Sequence, residues 1–348
     1  MIRALMGKAP TSRAPTSRTW SSVPRLGLGA LLLVIFLVPV LTSTYFTSAV
    51  AVTTLWWGLS AASITFLSRY GGMLSLAQTG LFGVAGLVAA KLMVGFGWNG
   101  WLAALAAIGI TAAVGLVFGM VASGSEGIYF LMVTLAFAEI VYYFFGAVPQ
   151  FGAHEGINSI VQPKVLGDPV LHPTRSYYFA LVVCVLVCVS VRYLARTAFG
   201  LALQGVRDDP ARMTALGYNV RLHRTSAFVV GSTMAGAAGV LSAWNDTRMS
   251  ADSLSLTVTI GVLAAAVIGG LGMLEGAWAG AFVFTVISTY APGYTDRFET
   301  LIGAILLAIL VFFPDGLVGV GTLFSRIPRL TGARRVPEPV AAEPSEGG

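Results

Sequence analysis

Arg196–Arg224, RTAFGLALQGVRDDPARMTALGYNVRLHR, is the one long polar segment between two strongly apolar blocks, and it carries five arginines against two aspartates. A short helix has both of its ends written into it. Asp209 suits the N-cap, Pro210 the first helical position, and Gly217 a left-handed closing residue. The spacing therefore predicts a two-turn helix over Pro210–Leu216, with Asp208 just ahead of it. Two readings stand for such a piece: a surface loop with one helical turn, or a docking element presented between membrane spans.

The blocks on either side decide the class. The 348 residues are 56% apolar and 10% charged, with 41 glycines and a mean hydropathy of +0.81. Soluble domains hold about 25% charged residues, so the chain is an all-α, polytopic integral membrane protein. Apolar runs at 26–41, 49–67, 74–94, 100–122, 127–148, 176–195, 224–244, 254–271, 275–291 and 299–319 predict about ten transmembrane helices. Most approach the roughly 20 residues that cross a hydrocarbon core. The pair 254–271 and 275–291 allows for a re-entrant segment.

Charge orients this layout. With N- and C-termini both cytoplasmic, the inside segments, with Arg192 and Arg224 at span ends, collect sixteen Lys and Arg. The outside collects four, Lys164, Arg175, Arg248 and Arg297, while Lys91 lies near an outer helix end. This is the bias of the positive-inside rule, and it places 196–224 in the cytoplasm and 149–175 outside. Residues 1–25 and 320–348 read as disordered cytoplasmic tails around a transmembrane block at 26–319. The basic start and the run 26–41 also fit a secretory signal cleaved near Ala49-Val50-Ala51.

Composition and spacing exclude several chemistries. Cys184 and Cys188 stand alone in an apolar run, and His154, His172 and His223 lack metal-ligand spacing. There is no G-x-x-x-x-G-K-[ST] phosphate loop, so no ATP or other cofactor is expected on this chain. No Ser/His/Asp cluster lies at membrane depth, which argues against an enzyme. Membrane lipid surrounds the chain, and nothing points to nucleic acid.

Three stretches are candidates for function. In RYGGMLSLAQTGLFGVAG, from Arg69 to Gly86, Gly80, Gly83 and Gly86 recur every third residue, and Ser75, Gln78 and Thr79 set polar groups at the inner half. This is either close helix packing or an interrupted helix lining a path. Glu139 falls near the bilayer centre, with Tyr142 and Tyr143 on its side of the helix. A carboxyl there costs about 2.5–3.5 kcal/mol on insertion scales, so it is either a path residue or a polar joint between helices. A proton-coupled carrier using Glu139 is the competing function. VIGGLGMLEGAWAGAF, from Val267 to Phe282, repeats the Gly-Gly opening of Gly71-Gly72 and hints at an internal duplication.

These blocks together resemble the LivM-type permease subunit of ABC importers for branched-chain amino acids. The resemblance runs from about Val52 to Val320. It rests on GGMLSLAQTGLFGVAG, GIYFLMVTLAFAEI, HEGINSI, FGLALQGVRDDPARMTALGYNV and VIGGLGMLEGAWAGAF, closed by FFPDGLVGV. It implies that Asp208–Gly217 is the coupling helix, with Asp208, Asp209, Pro210, Ala211, Ala215 and Gly217 at a cleft of the ATPase subunit. Arg207, Arg212, Arg221 and Arg224 would then meet acidic groups at its rim. It further implies a LivH-like second permease, two ATPase subunits holding ATP and Mg, and an extracytoplasmic solute-binding protein. The setting implied is a prokaryotic plasma (inner) membrane. The translocation path would include Ser75, Gln78, Thr79, Glu139 and Tyr143. The family usually carries Gly-His where Ala77-Gln78 stand and an acidic residue at or beside Pro210. Related permeases for urea and short amides share the same blocks.

Overall fold

The computed structural model describes residues 44–163, 167, 173–291, 300, 303, 304 and 316. The expected span 26–41 lies outside the described residues, as does nearly all of 299–319. Six helices are long and apolar enough to cross a membrane: α1 (Thr47–Gly71), α2 (Ala77–Gly95), α3 (Gly100–Ala122), α4 (Gly127–Ala147), α5 (Pro173–Arg196) and α8 (Val220–Asp246). Between α5 and α8 lie α6 (Ala198–Asp208) and α7 (Pro210–Ala215). Two shorter apolar helices follow, α9 (Leu256–Gly269) and α10 (Gly276–Tyr290). The protein is therefore all-α and polytopic, with six full-length spans among the described residues.

The two short helices match the expected 254–271 and 275–291 to within two residues at each end but fall short of a full crossing. At 1.5 Å per residue α9 covers about 21 Å, less than the roughly 30 Å of hydrocarbon. It starts late because Ala251–Leu254 is a 3-10 turn, and Leu254 is buried where a Cβ on Gly83 of α2 would stand 2.1 Å from its Cγ. It ends at Gly270, whose φ of +98° suits only glycine.

The core is α1, α2 and α8, while α3, α4 and α5 turn apolar faces outward. Leu105, Val117, Met132, Ile140, Leu186 and Val189 are all exposed. In water such a surface would drive association, whereas in lipid it is the expected outer face. Small residues bring the inner helices together. A Cβ on Gly239 of α8 would lie 2.0 Å from the Phe82 carbonyl oxygen of α2. One on Gly280 of α10 would lie 1.9 Å from the Ala265 oxygen of α9. Helix association in lipid relies on this close packing, because burial of apolar area supplies little there.

Polar contacts sort the connections into two groups. At one end, Arg69 reaches Gly272, Arg192 pairs with Glu275, and Arg224 pairs with Glu126. At the other, Trp244 Nε1 donates to Met93 Sδ at 3.4 Å, and β1 (Ile157–Asn158) pairs antiparallel with β2 (Arg248–Met249). Gln162 Nε2 donates to the Trp244 carbonyl at 3.0 Å, and Gln162 Oε1 accepts from Ser176 Oγ at 3.1 Å. Part of the 149–175 interval, expected to be an irregular loop, is thus pinned across the end of α8. His154 meets Asp252 at 3.3 Å, while His172 lies outside the described residues.

Candidate functional site: an exposed capped helix and the breaks beneath it

The polar segment folds from its own end signals. Thr197 caps α6, accepting from the Gly200 amide at 3.4 Å. Asp209 caps α7, its Oδ1 accepting from the Arg212 amide at 2.9 Å, and Pro210 takes the first helical position. At the far end the Tyr218 amide donates to the Met213 carbonyl and the Gly217 amide to that of Thr214, both at 3.0 Å. With Gly217 at φ +87°, this is a Schellman closure. Helix α7 ends at Ala215 with Leu216 as its C-cap, within one residue of the expected Pro210–Leu216.

Ala211 and Ala215 are exposed, as are Thr214 and Leu216. Helix α7 leans on α6 through Met213, whose Sδ would be 2.8 Å from a Cβ on Gly205. A cleft of about 660 Å³ separates it from the α3–α4 turn and the start of α8, lined by Ala211, Thr214, Ser123, Glu126 and Arg224 among others. An isolated helix of six residues is marginal in water. Its caps and the Met213 contact hold α7 in a shape that leaves its small-residue face open.

Not every arginine expected to face outward does so. The Arg224 side chain is 11% exposed and its Nη1 binds Glu126 Oε1 at 2.8 Å. It closes α8 onto the start of α4 and is spent inside the chain. Arg207 stays exposed but is partnered within the chain: its Nε and Nη2 hold Asp208 Oδ1 at 2.8 and 2.7 Å, and Nη1 donates to the Arg69 carbonyl. Asp208 therefore anchors Arg207. Arg212 and Arg221 are exposed.

Beneath this segment the chain is broken between α1 and α2. Gly72 has φ +65°, and residues 72–76 are non-helical. Both ends of the break are hydrogen-bonded. The Met73 amide donates to the Leu67 carbonyl at 3.1 Å, the Ala77 amide to Ser75 Oγ at 3.3 Å, and the Leu76 amide to Thr134 Oγ1 of α4 at 3.2 Å. Ser75 thus caps the broken end. Gln78 and Thr79 lie one turn further, wholly buried. The Gln78 amide points toward Gly231 of α8, where a Cβ would sit 3.4 Å from its Nε2. Neither atom of that amide, nor Thr79 Oγ1, has a hydrogen-bond partner among the described residues. Burying such groups unpaired costs about 1–3 kcal/mol each, and the hydroxyls of Thr54, Ser60 and Thr285 share that state among the described residues.

The glycines of α2 are packing positions. Gly80 faces the Ala138 Cα of α4, Gly83 faces Leu254, and Gly86 faces Met249 and the Gly239 carbonyl. Glu139 and Tyr143 lie elsewhere. Ala138 turns inward, Glu139 is half-buried, and Tyr143 is exposed on the outer side of α4. Glu139 has no ion pair or hydrogen bond among the described residues. The five expected path residues therefore fall into an inner group, Ser75, Gln78 and Thr79, and an outer pair, Glu139 and Tyr143.

The sequence reading missed α6 and the contacts of Arg69. The signal for α6 was present: Ala202, Leu203 and Val206 are buried at helical spacing after the Thr197 cap. No local signal identifies Gly272 as the partner of Arg69.

A helical bundle with an outer face fit for lipid, a broken helix and a capped helix projecting from one end defines a polytopic membrane protein. A profile of the family described as branched-chain amino acid transport system / permease component matches residues 46–313, and the chain belongs to that family. The LivM permease protein of the high-affinity branched-chain amino acid transport system of Escherichia coli (strain K12) is 25% identical over 271 residues, covering 71% of this chain and 64% of the relative. Its Salmonella typhimurium counterpart is 24% identical over the same coverage. A probable branched-chain amino acid transport permease protein LivH of Methanocaldococcus jannaschii is 25% identical over 136 residues, 36% of this chain and 42% of its own. The chain thus spans just under two thirds of the LivM relatives it matches. No solved structure matches.

Proposed function

We propose that the chain is a membrane-spanning permease subunit of an ABC importer that moves a small amino acid-like solute, with branched-chain amino acids the first substrates to test. The observation that carries this reading is α7, a six-residue helix capped at both ends and exposed along its alanine face. A structure this short, held ready but uncovered, suits a protein partner that supplies the missing contacts. The sequence has no phosphate loop, so ATP and Mg sit on two separate ATPase subunits. Ala211 and Ala215 let the ATPase backbone approach, Asp209, Pro210 and Gly217 set the helix ends, and Arg212 and Arg221 meet acidic groups around it.

The end of the bundle that carries α7 faces the cytoplasm of a prokaryotic plasma membrane, as the sixteen-to-four distribution of Lys and Arg requires. The opposite end, braced by β1 and β2, receives an extracytoplasmic solute-binding protein. Glu139 lies at mid-span on the outer side of α4, so a second, LivH-like permease is the natural neighbour there. The solute path then runs between the two permeases past Glu139 and Tyr143, with Ser75, Gln78 and Thr79 at its inner end.

The test is purification from the native membrane followed by uptake. Tagged chain should bring down an ATPase and a second permease, and vesicles holding the complex should take up labelled leucine, isoleucine or valine when ATP is enclosed. Ala215→Trp should leave insertion normal and abolish ATPase co-purification. A mutant that keeps a stoichiometric ATPase and normal uptake would remove the docking role of α7. Uptake that follows a proton gradient without ATP would remove the importer class.

A further inference from the structure

Helix α6, which leads into α7, packs against the last turn of α1, and Arg207, two residues before the α7 cap, adds a polar contact there. Arg207 Nη1 donates to the carbonyl oxygen of Arg69, in the last turn of α1. That carbonyl lies at a helix C-terminus, where a cation is favourable on dipole grounds. The methylenes of Arg207 lie over Gly72, where a Cβ would stand 2.6 Å from Arg207 Cγ. Its Nε and Nη2 are held by Asp208, so the guanidinium is fixed in direction.

The contact continues through Arg69. Its Nη1 donates to the Gly272 carbonyl at 2.5 Å, in the turn between α9 and α10. Glu275 at the end of the same turn pairs with Arg192 of α5. On the other side, the break at 72–76 ends on Ser75 and Thr134, one turn before the buried, unpaired Gln78 and Thr79. The break is thus hydrogen-bonded at both of its ends.

We propose that Arg207 is the positioning residue that converts movement of α7 into movement of the broken start of α2, acting on the Arg69 carbonyl and on Gly72. Arginine suits this role because its fork engages a carboxylate and a carbonyl together, which a lysine ammonium does only singly. The inference rests on the reading of α7 as the ATPase contact.

The experiment uses the complete transporter, with its ATPase subunits, second permease and solute-binding protein, in sealed vesicles. Arg207→Met keeps aliphatic cover over Gly72 and removes every donor. It should retain ATPase co-purification and ATP hydrolysis, while the solute taken up per ATP hydrolysed falls about tenfold or more, the scale of one charge-assisted hydrogen bond. Arg207→Lys, which keeps charge and stem, should recover part of that ratio. An unchanged ratio, or uptake and hydrolysis falling together, makes Arg207 a plain brace and overturns the proposal. If Arg207→Met does not accumulate, Arg207→Lys decides by the same ratio, and failure of both to accumulate overturns the proposal too. Retained ATPase binding in Ala215→Trp would instead strike the underlying docking role, so the two failures are separable.

Discussion

Gly217→Val isolates the conformational part of the α7 design. Gly217 has φ +87°, and a Cβ placed on it meets nothing within 4 Å. Any penalty for a side chain there is therefore backbone strain and not collision. A non-glycine residue in the left-handed region costs about 1–2 kcal/mol, and a β-branched one stands at the high end. The Schellman bonds from Gly217 and Tyr218 close a helix of only six residues, which has no further turns to compensate. If the ATPase recognises the closed form, its affinity should fall by up to about 5- to 30-fold, the Boltzmann equivalent of that strain. Binding of purified ATPase subunits to inside-out vesicles measures this, with vesicle content of the permease as the insertion control. Gly217→Asn is the matched comparison, because asparagine tolerates the left-handed region and should lose much less. Wild-type affinity in Gly217→Val, or equal losses in the Val and Asn variants, would refute the reasoning.

Reporter fusions after Gly217 and within 155–170 should read cytoplasmic and extracytoplasmic respectively, and the reverse pattern at either site would invert the orientation. Glu139→Gln, which keeps shape and loses charge, should alter uptake without lowering the assembled complex if Glu139 lines the path. Glu139→Leu should instead lower assembly if the carboxyl is a joint to the neighbouring permease, and unchanged behaviour in both variants removes Glu139 from the mechanism.

Much of the site is legible where the signals are local. The cap at Asp209, the proline beside it and the left-handed Gly217 each act within four residues, and all three are realised as written. The glycine spacing of α2 gives a packing face but not its partners. Ala138, Leu254, Met249 and Gly239 come from four distant parts of the chain, and only the fold brings them there. The apolar run 254–271 reads as one span because hydropathy cannot see that Ala251–Leu254 winds as a 3-10 turn against α2. The internal partners of Arg224 and Arg207 are hidden from the sequence for the same reason. Those partners, Glu126 and the Arg69 carbonyl, lie 98 and 138 residues away. Charge in the sequence gives the side of the membrane on which an arginine sits, not whether it remains free to meet another protein.

The two Gly-Gly stretches acquire a shared meaning from these contacts. Each follows a helix that reaches the α7 end of the bundle, each turns through a glycine in positive φ, Gly72 at +65° and Gly270 at +98°, and each opens a glycine- and alanine-rich helix. Arg69 joins them directly, since it lies beside the first and donates to Gly272 in the second. Gly316, at φ +74°, closes against the second so tightly that a Cβ would stand 2.4 Å from the Gly270 Cα. Backbone meeting backbone at that distance has no flexible side chain to yield, and packed interiors shift between discrete arrangements more readily than they deform. A displacement delivered at Arg207 therefore acts on two helix starts together, α2 through Gly72 and α10 through Arg69 and Gly272. Both helices pack on α1, so the displacement has no local place to stop. Rigid coupling of this kind suits an anchor such as Arg207, which bonds a main-chain carbonyl whose position is set by its helix and not by the rotamer of a partner side chain.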